Sequence, residues 1–185
     1  MRMKGSLRKV RTASMYEQGF TLIELMIALA VLAIITSLAA PSCVTMIQNN
    51  RATGTTNDLI ASLQLARTEA IKSNGAALLQ SINGTSDWGD GHRIGVDLNS
   101  DGDILDANEL LRNVDAPHSS ISITSADNAV SEITYNGTGG VTSASTTTFT
   151  IDTTRCETGV TRKVRKVQIG LSGGNTLSYS TETCP

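Results

Sequence analysis

The sequence predicts an α+β fold, in which one long N-terminal helix packs against an antiparallel β-sheet domain. No charged side chain occurs from Leu25 to Asn50, and apolar residues then recur at helical spacing as far as about residue 75. Beyond Gly75 the pattern changes to short apolar runs bounded by turn residues, as expected of strands. One amphipathic helix followed by several such strands is typical of the α+β class.

The chain of 185 residues divides into four predicted segments. These are a basic leader at 1–19, a membrane-spanning half-helix at 20–49, an amphipathic half-helix at 50–75 and a soluble β-rich domain at 76–185. The leader has five basic residues against Glu17 alone. Net charge is −2, so the chain has no global basic field that would indicate nucleic-acid binding.

The uncharged stretch is long enough to cross a bilayer, because a membrane helix needs about 20 apolar residues. Basic residues before such a helix hold that end in the cytoplasm. A cleaved secretory signal peptide is the alternative, but its apolar region spans only about 7–15 residues. Lipidation of Cys43 is disfavoured, since Pro41 and Ser42 separate it from the preceding small residues.

Glu24 stands near the start of the apolar segment. A carboxylate in a bilayer costs roughly 2.5–3.5 kcal/mol on insertion scales, so it is expected to be functional and to have a partner. The alternative is a plain membrane anchor in which Glu24 reaches the interface.

The stretch Gly19-Phe20-Thr21-Leu22-Ile23-Glu24 resembles the processing site of type IV pilins and type II secretion pseudopilins. The resemblance implies cleavage after Gly19 by a prepilin peptidase and N-methylation of Phe20. It also implies assembly roles for Glu24 and for Pro41, which falls where pilins usually carry a helix proline. The Glu24 carboxylate of one subunit would then pair with the Phe20 amine of its neighbour.

Pro41 removes one backbone hydrogen bond and is expected to kink or loosen the helix. Beyond it, Leu59, Leu63, Ala66 and Ala70 recur at helical spacing, and Asn74-Gly75 is a suitable C-terminal cap. The predicted strands are Ala76–Ile82, Arg93–Asp97, Ile121–Thr124, Glu132–Tyr135, Thr147–Ile151, Lys163–Leu171 and a pairing segment at Leu177–Ser180. Hairpin-type turns are expected at Asn136-Gly137 and at 172–175.

A tryptophan-containing turn, a strand and an Asp/Asn-rich loop follow one another over residues 87–102. With the N-terminal motif, this order resembles the H-type pseudopilins and the FimT/FimU minor pilins. The resemblance implies a pilin-like subunit that starts as a single-pass protein of the bacterial inner membrane, with its domain in the periplasm, and then joins a pilus or pseudopilus. The implied partners are other major and minor pilins or pseudopilins, the prepilin peptidase, the inner-membrane assembly platform and the lipid bilayer. Pilus and type II secretion system both stay open.

Oxygen-bearing side chains alternate in the loop after the second strand, at Asp97, Asn99, Asp101 and Asp103, with Gly102 between them. This alternation is what a Ca²⁺ loop needs. In an EF-hand the bidentate acid would stand at Asn108, and Glu109 comes one place too late. A different loop geometry would still allow Asp106 and Glu109 to contribute. The alternative is an acidic surface loop whose side chains cap their own turns, with no cofactor.

The three cysteines match no zinc pattern. Cys156 and Cys184 flank the C-terminal strands, and outside the cytoplasm they can form a disulfide that closes a loop of about 29 residues. Pilin-type proteins often have such a C-terminal bridge, so the resemblance agrees. Two unpaired thiols are the alternative.

A basic cluster lies between these cysteines, with Arg162, Lys163, Arg165 and Lys166 at its centre. Phosphate binding by this cluster would make the chain a DNA receptor of the FimT type, which the sequence does not favour. Those minor pilins resemble DNA receptors with arginines after the last long strand, whereas 172–176 has no basic residue. No aromatic residue is interleaved for base stacking. A solvated face or a contact with another subunit is the favoured interpretation.

Catalysis finds little support in the sequence. His92 and His118 are isolated, and neither belongs to a recognisable triad. The chain is predicted to be a substrate of the peptidase and not an enzyme.

Overall fold

The structure, a computed structural model, describes residues 19–125, 130–142, 146–154, 159 and 161–184, without the side chains of 38–42. The chain forms two compact units, residues 1–42 and 43–185, which are considered separately below. A single helix, α1, runs from Leu22 to Ser73 and so has residues in both. The helix continues through Pro41, where a kink or loosening was expected from the missing backbone hydrogen bond.

In the second unit, α1 buries one apolar stripe. Ala52, Leu59, Leu63, Ala66 and Ala70 are at most 1% exposed, and they recur every three to seven residues along one face. The positions at which apolar residues recur in the sequence therefore form the buried face of this part of α1.

The end of α1 has the hydrogen bonds of a Schellman motif. The amide of Gly75 donates to the Ala70 carbonyl at 3.2 Å, and that of Asn74 donates to the Ile71 carbonyl at 3.3 Å. Asn74 has φ 49°, so the left-handed position belongs to Asn74 and Gly75 follows it. The predicted cap is present, one residue earlier than glycine preference alone suggests.

In the part of the chain that the structure describes, eight strands follow α1 and form two sheets, whereas a single sheet was expected. The first has the order β3-β2-β1-β5 and the second β4-β6-β7-β8, with every pairing antiparallel. The strands are β1 (Ala76–Ser81), β2 (Gly91–Asp97), β3 (Leu110–Asp115), β4 (Ile121–Ser125), β5 (Glu132–Tyr135), β6 (Thr147–Thr153), β7 (Thr161–Ile169) and β8 (Asn175–Thr183).

Strand β3 was not predicted. Five of its six residues are exposed, so it lacks the alternation by which half-buried strands are recognised. It pairs with β2 through a register shift between Ile94 and Gly95. A β-bulge of this kind increases the local twist at a sheet edge.

Trp88 occupies the core shared by α1 and the two sheets. Its side chain is fully buried and meets Phe149 of β6 edge to face, with ring centroids 4.8 Å apart. Its indole Nε1 donates to the Val130 carbonyl at 2.9 Å, and its backbone amide donates to the Ile123 carbonyl at 2.9 Å. The predicted tryptophan turn therefore joins the two sheets.

Arg67 of α1 connects two loops at one end of the domain. Its Nε donates to the Gly139 carbonyl at 2.9 Å, and its terminal nitrogen donates to the Ser172 carbonyl at 3.1 Å. Gly173, at φ 77°, lies so close that an added Cβ would overlap the Gly139 carbonyl oxygen.

The two predicted hairpin turns have different outcomes. The 170–174 turn joins β7 to its partner β8 as expected, with the Gly170 amide bonded to the Gly174 carbonyl. At Asn136-Gly137 the chain turns locally, and a bridge forms between Tyr135 and Val141. The flanking strands β5 and β6 lie in different sheets, so this turn closes no hairpin between them.

Candidate functional site

The predicted processing site lies directly before α1. Gly19, Phe20 and Thr21 precede the first helical residue, Leu22, and the Phe20 side chain is 90% exposed. The bond between Gly19 and Phe20 is therefore outside the helix. The leader, apart from its last residue Gly19, lies outside the described residues.

Glu24 closes a capping box with Thr21. The Thr21 amide donates to Glu24 Oε2 at 3.0 Å, and the Glu24 amide donates to Thr21 Oγ1 at 3.3 Å. The threonine hydroxyl also donates to Glu24 Oε2 at 2.9 Å. This reciprocal arrangement satisfies amides at the helix start that have no partner within the helix. In the single chain, Glu24 therefore already has a structural role, which the sequence analysis missed although the Thr-x-x-Glu spacing signals it.

The apolar side chains of the first unit are exposed. From Leu22 to Ser37 every described residue of α1 is exposed, including Leu25 at 58% and Ile34 at 63%. Within the described part of the chain, no helix is both apolar enough and long enough for a membrane crossing. The membrane-spanning assignment of 20–49 stays a prediction.

The cysteines are only partly covered by the structure. Cys43 is exposed and has a free thiol. Cys184 is 5% exposed, close to the C-terminal end of β8. Cys156 lies outside the described residues, so the predicted pairing of Cys156 with Cys184 stays a prediction.

The acidic loop between β2 and β3 caps its own turns, as one of the two interpretations predicted. Asp97 accepts backbone amides of Ser100 and Gly102, at 2.6 and 3.1 Å. Asn99 accepts the amide of Asp101 at 2.9 Å, and its side-chain amide donates to Asp101 and Asp106. Asp97 and Asn99 therefore hold the loop through hydrogen bonds of their own.

Glu109, which comes one residue too late for the EF-hand pattern, lies close to the side chains of this loop. It is 2% exposed, and its Oε1 accepts the Leu98 amide at 3.0 Å. One carboxylate oxygen from each of Asp101, Asp103 and Glu109 lies within 4.8 Å of the other two. Of the four predicted metal ligands, Asp101 and Asp103 belong to this cluster, and Asp97 and Asn99 do not.

The basic cluster on β7 is engaged with the domain itself. Arg165 is 4% exposed and donates to the Asn49 carbonyl and to Thr53 Oγ1, both at 3.0 Å. Arg162 forms an ion pair with Asp152 at 2.7 Å. Lys163 lies 4.0 Å from the ring centroid of Tyr179, and Lys166 is 4.0 Å from Glu182. Arg165 therefore fastens β7 to α1, from the strand face that it shares with the buried Val167 and Ile169.

His92 is buried against α1, with Nε2 at 2.8 Å from Ser62 Oγ. Burial and, to a smaller extent, the positive charge of Arg112 lower the pKa of His92 to about 4, against the opposing effect of Asp58. His92 also borders a cavity of about 280 Å³. Its lining includes His118, whose Nδ1 is 3.3 Å from Arg51. Ser62 is thus a hydroxyl placed against His92, but among the described residues no hydrogen bond joins a carboxylate to the other ring nitrogen, as a triad would require.

Two family models match this chain, and together they cover most of its length. Residues 55–173 match the family model for the type II transport protein GspH. Residues 14–40 match the model for the prokaryotic N-terminal methylation motif. A comparison with curated proteins gave no significant match.

Two crystal forms of the type IV minor pilin FimU from Pseudomonas aeruginosa have a similar fold. The form in space group P21 is 24% identical, with a TM-score of 0.58, over 75% of this chain and 98% of that chain. The form in space group P65 is 25% identical, with a TM-score of 0.53, over 74% of this chain and 98% of that chain. The predicted fold, a long N-terminal helix packed on antiparallel sheet, is confirmed.

Proposed function

Because the chain belongs to the GspH family of type II transport proteins, we propose that a prepilin peptidase cleaves it after Gly19 and that the mature protein then joins a filament. The chain is a structural subunit of the minor pilin or pseudopilin kind. Its role would be to enter, or to prime the assembly of, a pilus or secretion pseudopilus. Before assembly it would be anchored in the bacterial inner membrane by residues 20–49, with its domain in the periplasm.

The observation that carries this proposal is the geometry around Glu24. The methylation-motif match covers residues 14–40, and within it the Gly19–Phe20 bond precedes α1 while the Glu24 carboxylate is held at the first turn by Thr21. Cleavage would place a cationic amine on Phe20, four positions before Glu24. The carboxylate is thus held at the helix terminus that a neighbouring amine would have to reach.

The charge on Glu24 would then select a docked neighbour. A carboxylate and an ammonium group are each costly in hydrocarbon, and they compensate one another only when two subunits meet in register. The exposed apolar side chains from Leu22 to Ser37 would be covered at the same time, first by lipid and then by other subunits. The partners of this step are other pilins or pseudopilins and the inner-membrane assembly platform.

The test uses three variants that separate the charge of Glu24 from its capping role. Glu24→Gln removes the charge, yet a glutamine at this position can still close a capping box. Glu24→Ala removes both functions, and Thr21→Val removes the hydroxyl while the carboxylate stays. Incorporation into filaments is measured by shear fractionation and immunodetection. Intact-mass analysis of the full chain checks that each variant begins at Phe20.

We expect Glu24→Gln and Glu24→Ala to be processed but to incorporate poorly. Breaking a buried pair by removing one partner costs about 3–5 kcal/mol, which corresponds to a loss of more than about 100-fold. Thr21→Val should incorporate within a few-fold of the unaltered chain, since a lost cap costs only about 1 kcal/mol. Normal incorporation of Glu24→Gln would mean that Glu24 acts only as a helix cap.

A further inference from the structure

The loop between β2 and β3 brings three carboxylates together at one point. Asp101 and Asp103 are exposed, Glu109 is buried, and one oxygen of each lies within 4.8 Å of the others. Acidic groups at this spacing repel one another, and exposed ones are normally separated by water. Turn hydrogen bonds hold the two aspartates, because Asp101 accepts the Asp103 amide at 3.1 Å and Asp103 accepts the Leu105 amide at 2.8 Å.

Glu109 differs from the two aspartates in being buried while one of its carboxylate oxygens has no hydrogen-bond partner among the described residues. Oε1 accepts the Leu98 amide, but Oε2 is buried and has no hydrogen-bond partner among the described residues. A buried carboxylate oxygen without a partner is costly, since it has lost its water and gained no donor. One oxygen of this buried carboxylate also lies within 4.8 Å of an oxygen of Asp101 and of Asp103.

The surrounding backbone fixes Glu109 in this position. Its carbonyl accepts the Val96 amide at 3.0 Å, and its amide donates to the Asp106 carbonyl at 3.3 Å. Ile104 is fully buried against Gly95, where an added Cβ would stand 2.6 Å from the isoleucine Cβ. The loop is thus anchored on β2 by an apolar residue, and Glu109 cannot turn out to solvent without disturbing that packing.

The spacing of the three oxygens suits one cation. Ca²⁺ binds oxygen at 2.3–2.6 Å, so two oxygens on opposite sides of the ion are about 4.6–5.2 Å apart. Oxygens that all lie within 4.8 Å of one another can therefore contact a single Ca²⁺ with little movement. Mg²⁺ would need metal–oxygen distances of about 2.0–2.1 Å in near-octahedral geometry, and a partly exposed loop provides this geometry less readily.

We propose that Asp101, Asp103 and Glu109 bind one Ca²⁺ ion. The exposed side of the loop lets water complete the six to eight oxygens that the ion prefers. Asp97 and Asn99 act as positioning residues, because their oxygens accept the amides of Ser100, Gly102 and Asp101. The arrangement differs from an EF-hand in taking its buried acid from Glu109 instead of position 108.

The test is Ca²⁺ binding to the full-length chain in detergent, measured by isothermal titration up to about 10 mM CaCl₂. Ca²⁺ sites in extracellular modules have dissociation constants of about 10⁻⁴–10⁻³ M, and this site should fall in or below that range. One ion should bind per chain, and MgCl₂ at the same concentration should bind at least about tenfold more weakly. A thermal-unfolding scan with and without CaCl₂ gives an independent readout.

Two variants locate the site, and a third controls for charge. Asp103→Asn is exposed and should fold normally while weakening Ca²⁺ binding at least about tenfold. Glu109→Gln should also abolish the Ca²⁺-dependent rise in unfolding temperature. Asp115→Asn, the same change at an exposed carboxylate at the end of β3, should bind as the unaltered chain does. Absence of Ca²⁺ binding at about 10 mM, or equal binding by Asp103→Asn and the unaltered chain, would overturn the proposal.

Discussion

The helix α1 carries apolar side chains in both units of the chain, but their surroundings differ. From Leu22 to Ser37 every described residue is exposed. From Ala52 to Ala70 the apolar stripe is buried in a core to which both sheets contribute, together with Trp88 and Phe149. One secondary structure therefore serves two kinds of packing.

This difference shows where each part finds its stabilising partners. Burial of an aliphatic side chain is worth about 1.5–3 kcal/mol, and the second part of α1 obtains that from the chain's own sheets. The first part has the same kind of side chains and leaves them uncovered within the single chain. Substitutions there should therefore leave domain stability unchanged and, under the proposed function, affect assembly.

The largest effect should come from the core that the second part of α1 shares with both sheets. Trp88→Ala removes a fully buried side chain and its contact with Phe149, and it should lower the free energy of unfolding by about 3–5 kcal/mol. Leu29→Ala, at a position 57% exposed in the first part of α1, should change it by less than about 0.5 kcal/mol. Denaturant unfolding of the full chain in detergent measures both.

If both substitutions lowered the free energy of unfolding by similar amounts, the distinction between the two parts of α1 would be wrong, because Leu29 would then be packed within the chain. Loss of filament incorporation by Leu29→Ala with unchanged stability would support the distinction.

A somewhat smaller effect is expected from the predicted bridge. Peptide mapping without reductant should find Cys156 joined to Cys184 and Cys43 free. Replacing both bridge cysteines by serine should then cost about 3 kcal/mol, since a loop of about 29 residues is no longer closed in the unfolded chain. Cys43→Ser should be nearly neutral, because that thiol is exposed on α1. Finding Cys43 in the bond would contradict the assignment of the cross-link to the β-rich domain.

The smallest of the three effects concerns His92, which is packed against α1 through Ser62. The pKa of His92 is lowered from 6.5 to about 4, chiefly by burial, so the unfolded chain takes up a proton at higher pH than the folded one. Its contribution to stability is complete above about pH 6.5, and it is lost as pH falls toward 4. By pH 5 the loss should be about 2 kcal/mol.

The variant His92→Gln provides the comparison for this pH effect, since glutamine can still bond to Ser62. Denaturant unfolding of both chains between pH 7 and 4 isolates the contribution of His92 to the pH dependence of stability, because the other titrating groups stay the same. Equal pH dependence in the two chains would mean that His92 is already protonated, or solvated, in the folded domain.

Much of the fold could be predicted because it depends on local periodicity. The stripe of Leu59, Leu63, Ala66 and Ala70 and the cap at Asn74 are readable from spacing alone, and both are present. The division into two sheets could not be predicted, because the sequence of a strand does not specify the strand with which it pairs. The exposed edge strand β3 escaped for a related reason, since a strand without a buried face has no alternation.

The candidate sites differ in the same way, because some depend on neighbouring residues and others on the fold. The processing motif from Gly19 to Glu24 is contiguous, so its chemistry could be predicted from the sequence. Glu109 is one place late for the EF-hand spacing, and the sequence allows it a role only in some other loop geometry, which residue spacing cannot specify. The fold brings its carboxylate to Asp101 and Asp103 in the loop that Ile104 anchors on Gly95. The sequence analysis grouped Arg165 with three neighbouring basic residues, and the structure separates it from them by burying it against α1.

The close approach of Gly173 and Gly139 has a consequence for mutational scanning. Surface loops usually tolerate substitution, so an intolerant loop position is commonly taken to mark a binding site. Gly173 would be intolerant for another reason, because any side chain there must adopt a φ of 77° and would overlap the Gly139 carbonyl oxygen. Its neighbour Ser172, whose side chain plays no part in the bond to Arg67, should accept replacement freely. A steep change in tolerance between these two adjacent positions would therefore report backbone packing and not a ligand.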